Sequence, residues 1–374
     1  MTMSRILMIL IAAGALLGGV DKIIGNRFGF GKKFDDGFLL MGSMALSMTG
    51  IICLAPLLST ALGSIIRPVF SAVGIDPAMF GCVLAIDMGG YQLAMELAND
   101  AEIGRFSGII ASSMFGCTLV FTIPVGMNVL PEADRPLFLK GMLAGLISMP
   151  VGLLVGGLLQ GLTLIVILFQ CIPIFLLSGV LLFGLIRFPD IVIRLFSDFA
   201  RLIQIAATAG LTLAAVQYIS GITLIPGLAS LTEALEIVGS IAIVMLGSLP
   251  LAELLRRILA VPFRFIGKKT GLNDASTTGI IMGTITVMPA LVMVKDMDKR
   301  GKVLCGAFLV CGASAFAAHM GFASCTQPDM ILPLLGGKFT GALLGTVIAM
   351  VMTRPPKKRH SKFPTGFTQC GSLS

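Results

Sequence analysis

Apolar runs of about 20 residues, the length that carries a helix across a bilayer, recur from one end of this chain to the other. In hydrocarbon every backbone N–H and C=O has to be satisfied within the protein, so a chain built this way folds as a bundle of helices. The runs fall at 4–21, 37–60, 77–97, 105–127, 138–159, 162–186, 202–221, 236–255, 275–294, 301–322 and 336–353. Only 12% of the 374 residues are charged, where a soluble domain carries about a quarter, and no loop is long enough to fold by itself. The expected class is therefore an all-α, polytopic integral membrane protein with about eleven hydrophobic segments. Ser4 to Val20 resembles a leader but lacks a convincing cleavage site, and is read as a retained first span.

Composition also excludes classes of chemistry. The eight Cys form no CxxC pair and mostly sit in apolar runs, as small core residues do. His319 and His360 are the only two His, so neither a His-rich metal site nor a convincing nucleophile–base pair is present. No enzyme, no metal and no cofactor is expected. The net charge of +8 comes from Lys and Arg in short loops, where they orient a membrane protein and do not mark a nucleic-acid partner.

The chain repeats itself at a shift of 197 residues. Gly42, Ser43 and Ala45 fall on Gly239, Ser240 and Ala242; Arg67, Gly74 and Gly104 fall on Arg264, Gly271 and Gly301. Two five-segment repeats result, 1–160 and 202–353. A linker span with an amphipathic helix (161–201) joins them, and a basic tail (354–374) follows. The amphipathic helix is read from Arg187, Asp190, Arg194, Asp198 and Arg201, spaced three to four residues apart.

Positive charge decides between two topologies. If all eleven segments cross, the Lys and Arg divide 14 to 13 between the two sides. If 63–97 and 257–294 are instead re-entrant hairpins, 23 lie on one side, and only Arg5, Arg67, Arg105 and Lys338 on the other. The positive-inside rule selects the second arrangement, with a cytoplasmic C-terminus. An odd number of crossings then separates the repeats, so they are inverted, with broken helices meeting near the midplane as in transporters. The breaks expected to turn the hairpins are Gly74-Ile75-Asp76-Pro77 and Gly271-Leu272-Asn273-Asp274, with Asp76 and Asn273 as helix N-caps. Segment 77–97 is also long enough to span, so full crossing stays open.

The stretch from Gly81 to Leu97 carries the candidate site. Asp87 lies in its apolar middle, followed by Met88 and the pair Gly89 and Gly90. A carboxylate at that depth is costly unless paired or facing a wet cavity. The nearest basic residues, Arg67 and Arg105, fall at span boundaries, so no local ion pair accounts for it; a distant Arg remains the alternative. Glu253 lies three and four residues before Arg256 and Arg257 and is explained by a local ion pair.

Four runs carry a family resemblance: FDDGFLLMGSMALSMTGIICLAPLL (34–58), LAIDMGGYQLAMELA (84–98), GLNDAS (271–276) and KDMDKRGKVL (295–304). In order and over most of the chain, they resemble the ethanolamine permease family of ethanolamine-utilisation operons. The resemblance implies a bacterial inner-membrane permease that takes up ethanolamine for degradation inside the cell. An ion-coupled carrier of another small amine or polar metabolite is the alternative. The sequence departs from the family pattern at two places. Ala317 and Ala318 precede His319 where the pattern has an Asp, and Thr286, Val287 and Met288 precede Pro289 where it has Asn.

Ethanolamine is a small protonated amine with a hydroxyl. A permease replaces its water with one carboxylate and a few neutral acceptors, aided by an aromatic ring. Asp87 is the expected counter-ion, with Tyr91 and Gln92 one turn on. Ser276, Thr277, Thr278, Thr284 and Thr286 offer hydroxyls from the second hairpin, although Thr often bonds back to its own helix. His319 serves either as a core residue or as a ligand and proton relay. Gln327 and Asp329 either gate or turn the chain. The expected binding set is Asp87, Tyr91, Gln92, Thr278, Thr284 and His319, with gating breaks at Gly74, Gly89, Gly90, Gly271 and Asn273. Membrane lipids are the surrounding partners. Homo-oligomerisation and the coupling ion are not readable from the sequence.

Overall fold

The computed structural model describes residues 3–84 and 90–353, apart from the side chains of residues 3, 4, 259–266 and 268–270. Among the described residues every regular element is helical. Eight helices are long and apolar enough to cross a membrane, or nine if one bent pair acts as a single span.

Helix α1 (Met3–Ile23) leads into a turn held by Asp21. Its buried carboxylate accepts the amides of Phe28 and Gly31, each at 2.9 Å. Helix α2 (Phe30–Ala72) follows, widening into a π-turn at Ala45–Thr49. Its 43 residues make a rod of about 65 Å at about 1.5 Å per residue, twice the hydrocarbon thickness. It ends at Gly74, whose φ of +70° terminates a helix readily only for glycine.

Two short helical pieces come next, α3 (Ala78–Gly81, continuing as a 3-10 turn through Leu84) and α4 (Gly90–Leu97). The spans α5 (Ala101–Val129) and α6 (Arg135–Gln160) close the first half. Helices α7 (Leu164–Gln170) and α8 (Ile172–Arg187) meet at 51°. Helix α9 (Pro189–Ser220) is a single rod of 32 residues. The amphipathic helix expected at 186–201 is therefore the polar half of a span, because neither Gly nor Pro interrupts the sequence between Asp190 and Ala209.

The second half runs through the 40-residue α10 (Leu231–Thr270), the pieces α11 (Asp274–Ile285) and α12 (Val287–Met293), and the spans α13 (Lys299–Thr326) and α14 (Pro328–Met352). The succession of a span, an overlong helix, a broken pair and two spans is thus present twice. Helix α10 packs along α1 and α2, and α6 packs along α13 and α14. At the α6–α14 crossing the backbones nearly touch: a β-carbon on Gly152 would lie 2.8 Å from the Gly337 carbonyl. The Ser148 hydroxyl donates to the Gly341 carbonyl there at 2.8 Å. Small residues at four-residue spacing, Gly152 with Gly156 and Gly341 with Gly345, permit this approach.

Candidate functional site

The broken pairs are helical hairpins, each closed at its base by one carboxylate. Asp76, 7% exposed, accepts the amide of Ala78 at 2.8 Å and, across the base, those of Asn99 at 3.1 Å and Asp100 at 2.9 Å. The chain therefore leaves at residue 77 and returns by residue 98 to the same place. Arg67 adds a bond from its guanidinium to the Glu96 carbonyl. The legs pack closely, since a β-carbon on Gly81 would lie 2.7 Å from Ala94.

The second hairpin is clamped in the same manner by Asp298. Its carboxylate accepts the Asn273 amide at 3.0 Å, the Ser276 hydroxyl at 2.6 Å and the Gly301 amide at 3.1 Å. Asn273 caps α11 through the Ser276 amide, and its own side-chain amide donates to the Asp296 carbonyl. Burial pushes the Asp298 carboxyl up, but the Ser276 hydroxyl and the surrounding amides outweigh it and hold the group below the ordinary carboxylate value.

These contacts correct the expected hairpin boundaries. Gly74, Gly271 and Asn273 do break helices, but at the bases of the hairpins and not at their turns. The hairpins are 77–98 and 274–297, not 63–97 and 257–294. The long helices run past residues 63 and 257 because nothing before Gly74 or Gly271 ends them. The second hairpin turns at Thr286, which is extended (φ −153°) between α11 and α12. Asp87 and Gly89 lie outside the described residues.

Both hairpins pack against α13, the second of them at a break in that helix. Ser314 adopts the left-handed conformation with φ +52°, which is uncommon for a residue with a side chain. Its amide donates to the Gly283 carbonyl of the second hairpin at 2.9 Å. A π-turn, Ala315–His319, follows. Irregular turns of this kind gather at functional sites. His319 is fully buried; its ring nitrogens make no well-aligned hydrogen bond, and the Ala313 backbone is the polar group that interacts with the ring. One turn on, the Tyr91 ring of the first hairpin meets Phe322 edge-on at 5.4 Å, and Gln327 donates its side-chain amide to the Tyr91 hydroxyl at 3.1 Å.

Of the expected binding set, Tyr91 and His319 therefore reach the same stretch of α13. Gln92 is half-buried on α4, and Gly90 begins that helix. Thr284 bonds back to the Ile281 carbonyl at 2.7 Å, and Thr278 is half-buried on α11. Ser276 belongs to the base clamp, far from the hairpin turn. Glu253 forms the local ion pairs with Arg256 and Arg257.

Sequence reasoning missed Ser314 and Lys338. Lys338 is not a loop residue: it is fully buried on α14, and its ammonium donates to the Ser113 carbonyl at 2.8 Å inside the π-helical part of α5. The Phe316 and Phe339 rings, 5.2 Å apart, bring this part of α14 beside the π-turn that ends at His319. The signal for Lys338 was present, a single charge in an otherwise apolar run, but the preceding Gly336 and Gly337 resemble a loop. Nothing local marks Ser314. Among the described residues no cluster of His, Cys, Asp or Glu has the makings of a metal site.

Comparison with known proteins adds independent information. The family model for the ethanolamine utilisation protein EutH matches residues 3–352. A probable ethanolamine permease EutH of Listeria monocytogenes is 39% identical over 99% of this chain and all of that protein. The uncharacterised protein YxeR of Bacillus subtilis is 38% identical over 97% of this chain and 98% of its own length. A probable ethanolamine permease EutH of Salmonella typhimurium is 34% identical over 94% of this chain and 96% of its own. No solved structure matches the chain.

Proposed function

The chain belongs to the ethanolamine utilisation protein EutH family, and from that premise we propose that it is a permease that takes up ethanolamine, or a closely related amino alcohol, across the bacterial inner membrane. The observation that supports the reading is that two base-clamped hairpins both pack against α13 and its C-terminal end, the second at the strained break at Ser314 and the first within a turn of His319, a fully buried imidazole with no well-aligned hydrogen bond. A buried polar group whose hydrogen bonding is incomplete in a membrane core calls for a partner, and a small solute with a hydroxyl and an ammonium supplies one.

In this reading Asp87 is the counter-ion for the ammonium. Tyr91, Gln92 and His319 face the hydroxyl and the carbon chain, and Thr278 and Thr284 contribute from the second hairpin. The pair Gly89 and Gly90 gives the first hairpin backbone freedom beside Asp87 in the sequence, while Gly74, Gly271 and Asn273 let the hairpins hinge at their bases. With nine crossings and two hairpins, five crossings separate the start of one half from the start of the other, so the halves are inverted. With Lys338 inside a span, only Arg5, Arg67 and Arg105 remain on the side opposite the 23 basic residues. That side is external, and the tail from residue 354 is cytoplasmic.

The test is uptake of labelled ethanolamine into proteoliposomes at acid external pH, where little neutral amine diffuses unaided. Asp87→Asn keeps the shape but removes the charge. Charge-assisted bonds contribute about 1.5–3 kcal/mol, so its KM should rise at least about tenfold, and Asp87→Glu should be intermediate. Saturable uptake unchanged in Asp87→Asn sinks the assignment and moves the site toward His319.

A further inference from the structure

A second polar feature lies away from the α13 break. A groove of about 840 Å³ runs between α2, α5 and α9. Its walls carry Ser47, Asn128, Asp198, Arg201, Gln204 and Thr208. A row of hydroxyls, amides and charges along membrane-spanning helices is costly against lipid and is found where water or a polar solute runs.

Three further observations connect this groove with transport. Both α2 and α5 form π-turns where they line it, at Ala45–Thr49 and Thr118–Thr122. Within those turns the hydroxyls of Thr49 and Thr122 are fully buried and have no hydrogen-bond partner. Leu84, on the first hairpin, packs against the cluster of Ile51, Ile203 and Ala207, and Ala207 itself lines the groove. Asp87 is three residues further along the chain. Asp198 is exposed and forms no ion pair among the described residues, although Arg201 lines the same groove one turn on; its carboxylate is therefore available to a cation.

We propose that the α9 groove is the path by which the substrate ammonium moves between the first hairpin and the cytoplasmic side, with Asp198 as its recruiting charge and the Gln204–Thr208 stripe as its polar wall. The inference rests on the reading of the chain as an amine permease. It assigns to that permease a solute path distinct from the α13 break. The mouth adjoins a second groove through Asn128, which lines both; that one carries Glu132, Arg135, Lys140 and Asp190, the residues of the basic side.

The experiment uses the full-length protein in inside-out membrane vesicles and a membrane-impermeant cationic methanethiosulfonate. Six of the seven described Cys are buried, and the otherwise unaltered protein serves as the background control. Thr208→Cys and Gln204→Cys should react, ethanolamine should slow that reaction, and modification should block transport. Leu202→Cys, on the same helix, 62% exposed and outside the groove, should show neither protection nor block. Asp198→Asn should raise the KM from the cytoplasmic side by about two- to fivefold, the size expected of an exposed charge, with the maximal rate kept and Asp198→Glu restoring the KM.

Modification at Thr208 that leaves transport intact overturns the proposal. So does oxidative cross-linking of Thr208→Cys between two copies without ethanolamine protection, which would make the groove an interface. The Asp87→Asn variant separates the two readings. Normal uptake by Asp87→Asn together with block at Thr208 keeps the path and removes the Asp87 site; the reverse pair keeps the site and removes the path.

Discussion

Asp298 holds more of the structure than its place in a short loop suggests. One carboxylate satisfies two backbone amides and a hydroxyl drawn from both ends of the second hairpin. Asp298→Ala leaves these donors without their acceptor, at about 1–3 kcal/mol for each that water does not reach. The expected result is a lower thermal midpoint in detergent, with Asp298→Asn intermediate. Because the folded protein holds this carboxyl below its ordinary value of 3.8, its contribution is complete above that value and is lost as pH falls through the lower, folded one. The difference in midpoint between the native protein and Asp298→Ala should therefore be flat from neutral pH down to about 4 and shrink only below it. The capping roles of Asp76 and Asn273 were legible in the sequence, since each is an Asx residue at the start of a helical run. The partners of Asp76 across the base were not, because Asn99 and Asp100 are separated from it by a segment whose path only the fold determines.

At the scale of elements, glycine decides which helices can touch. Gly152 on α6 faces the Gly337 carbonyl so closely that Gly152→Ala forces backbone apart, whereas a β-carbon on Gly42 of α2 meets nothing within 4 Å. Gly152→Ala should destabilise the protein by about 1–3 kcal/mol, the usual cost of overpacking. Gly42→Ala should leave it unchanged or slightly more stable, since Ala favours a helix. Fluorescence-detected melting of the two variants in the same detergent makes the comparison; equal midpoints would show that the α6–α14 crossing has room to give. The helices themselves were largely legible as apolar runs. Their ends were less so: α2 and α10 run far past the apolar cores of their segments, because a helix continues through polar residues until a Gly or an Asx cap stops it.

For the whole molecule, the expected outcome concerns sidedness. The loop after the first hairpin and the loop after the second should face opposite sides of the membrane. Asn99→Cys, in the first loop, and Lys299→Cys, at the first residue of α13 just after the second, occupy exposed positions. In intact cells an impermeant maleimide should label the first and spare the second, and the pattern should reverse in inside-out vesicles. Labelling of both from one side would overturn the inverted arrangement. In the sequence, the distribution of Lys and Arg is what points to this arrangement. It misplaced the hairpin turns, because the Gly-Asx breaks that look like turning points are the anchors.

That anchoring has a consequence for how the protein is made. A segment whose two ends are pinned together by Asp76 or Asp298 contributes no net crossing, so the direction of every later helix is the same whether or not the hairpin has yet gone in. The membrane-insertion machinery can thread the long spans first and leave both hairpins waiting at the surface. Each can then slide into the bundle once its neighbours have assembled, without any downstream helix having to turn over.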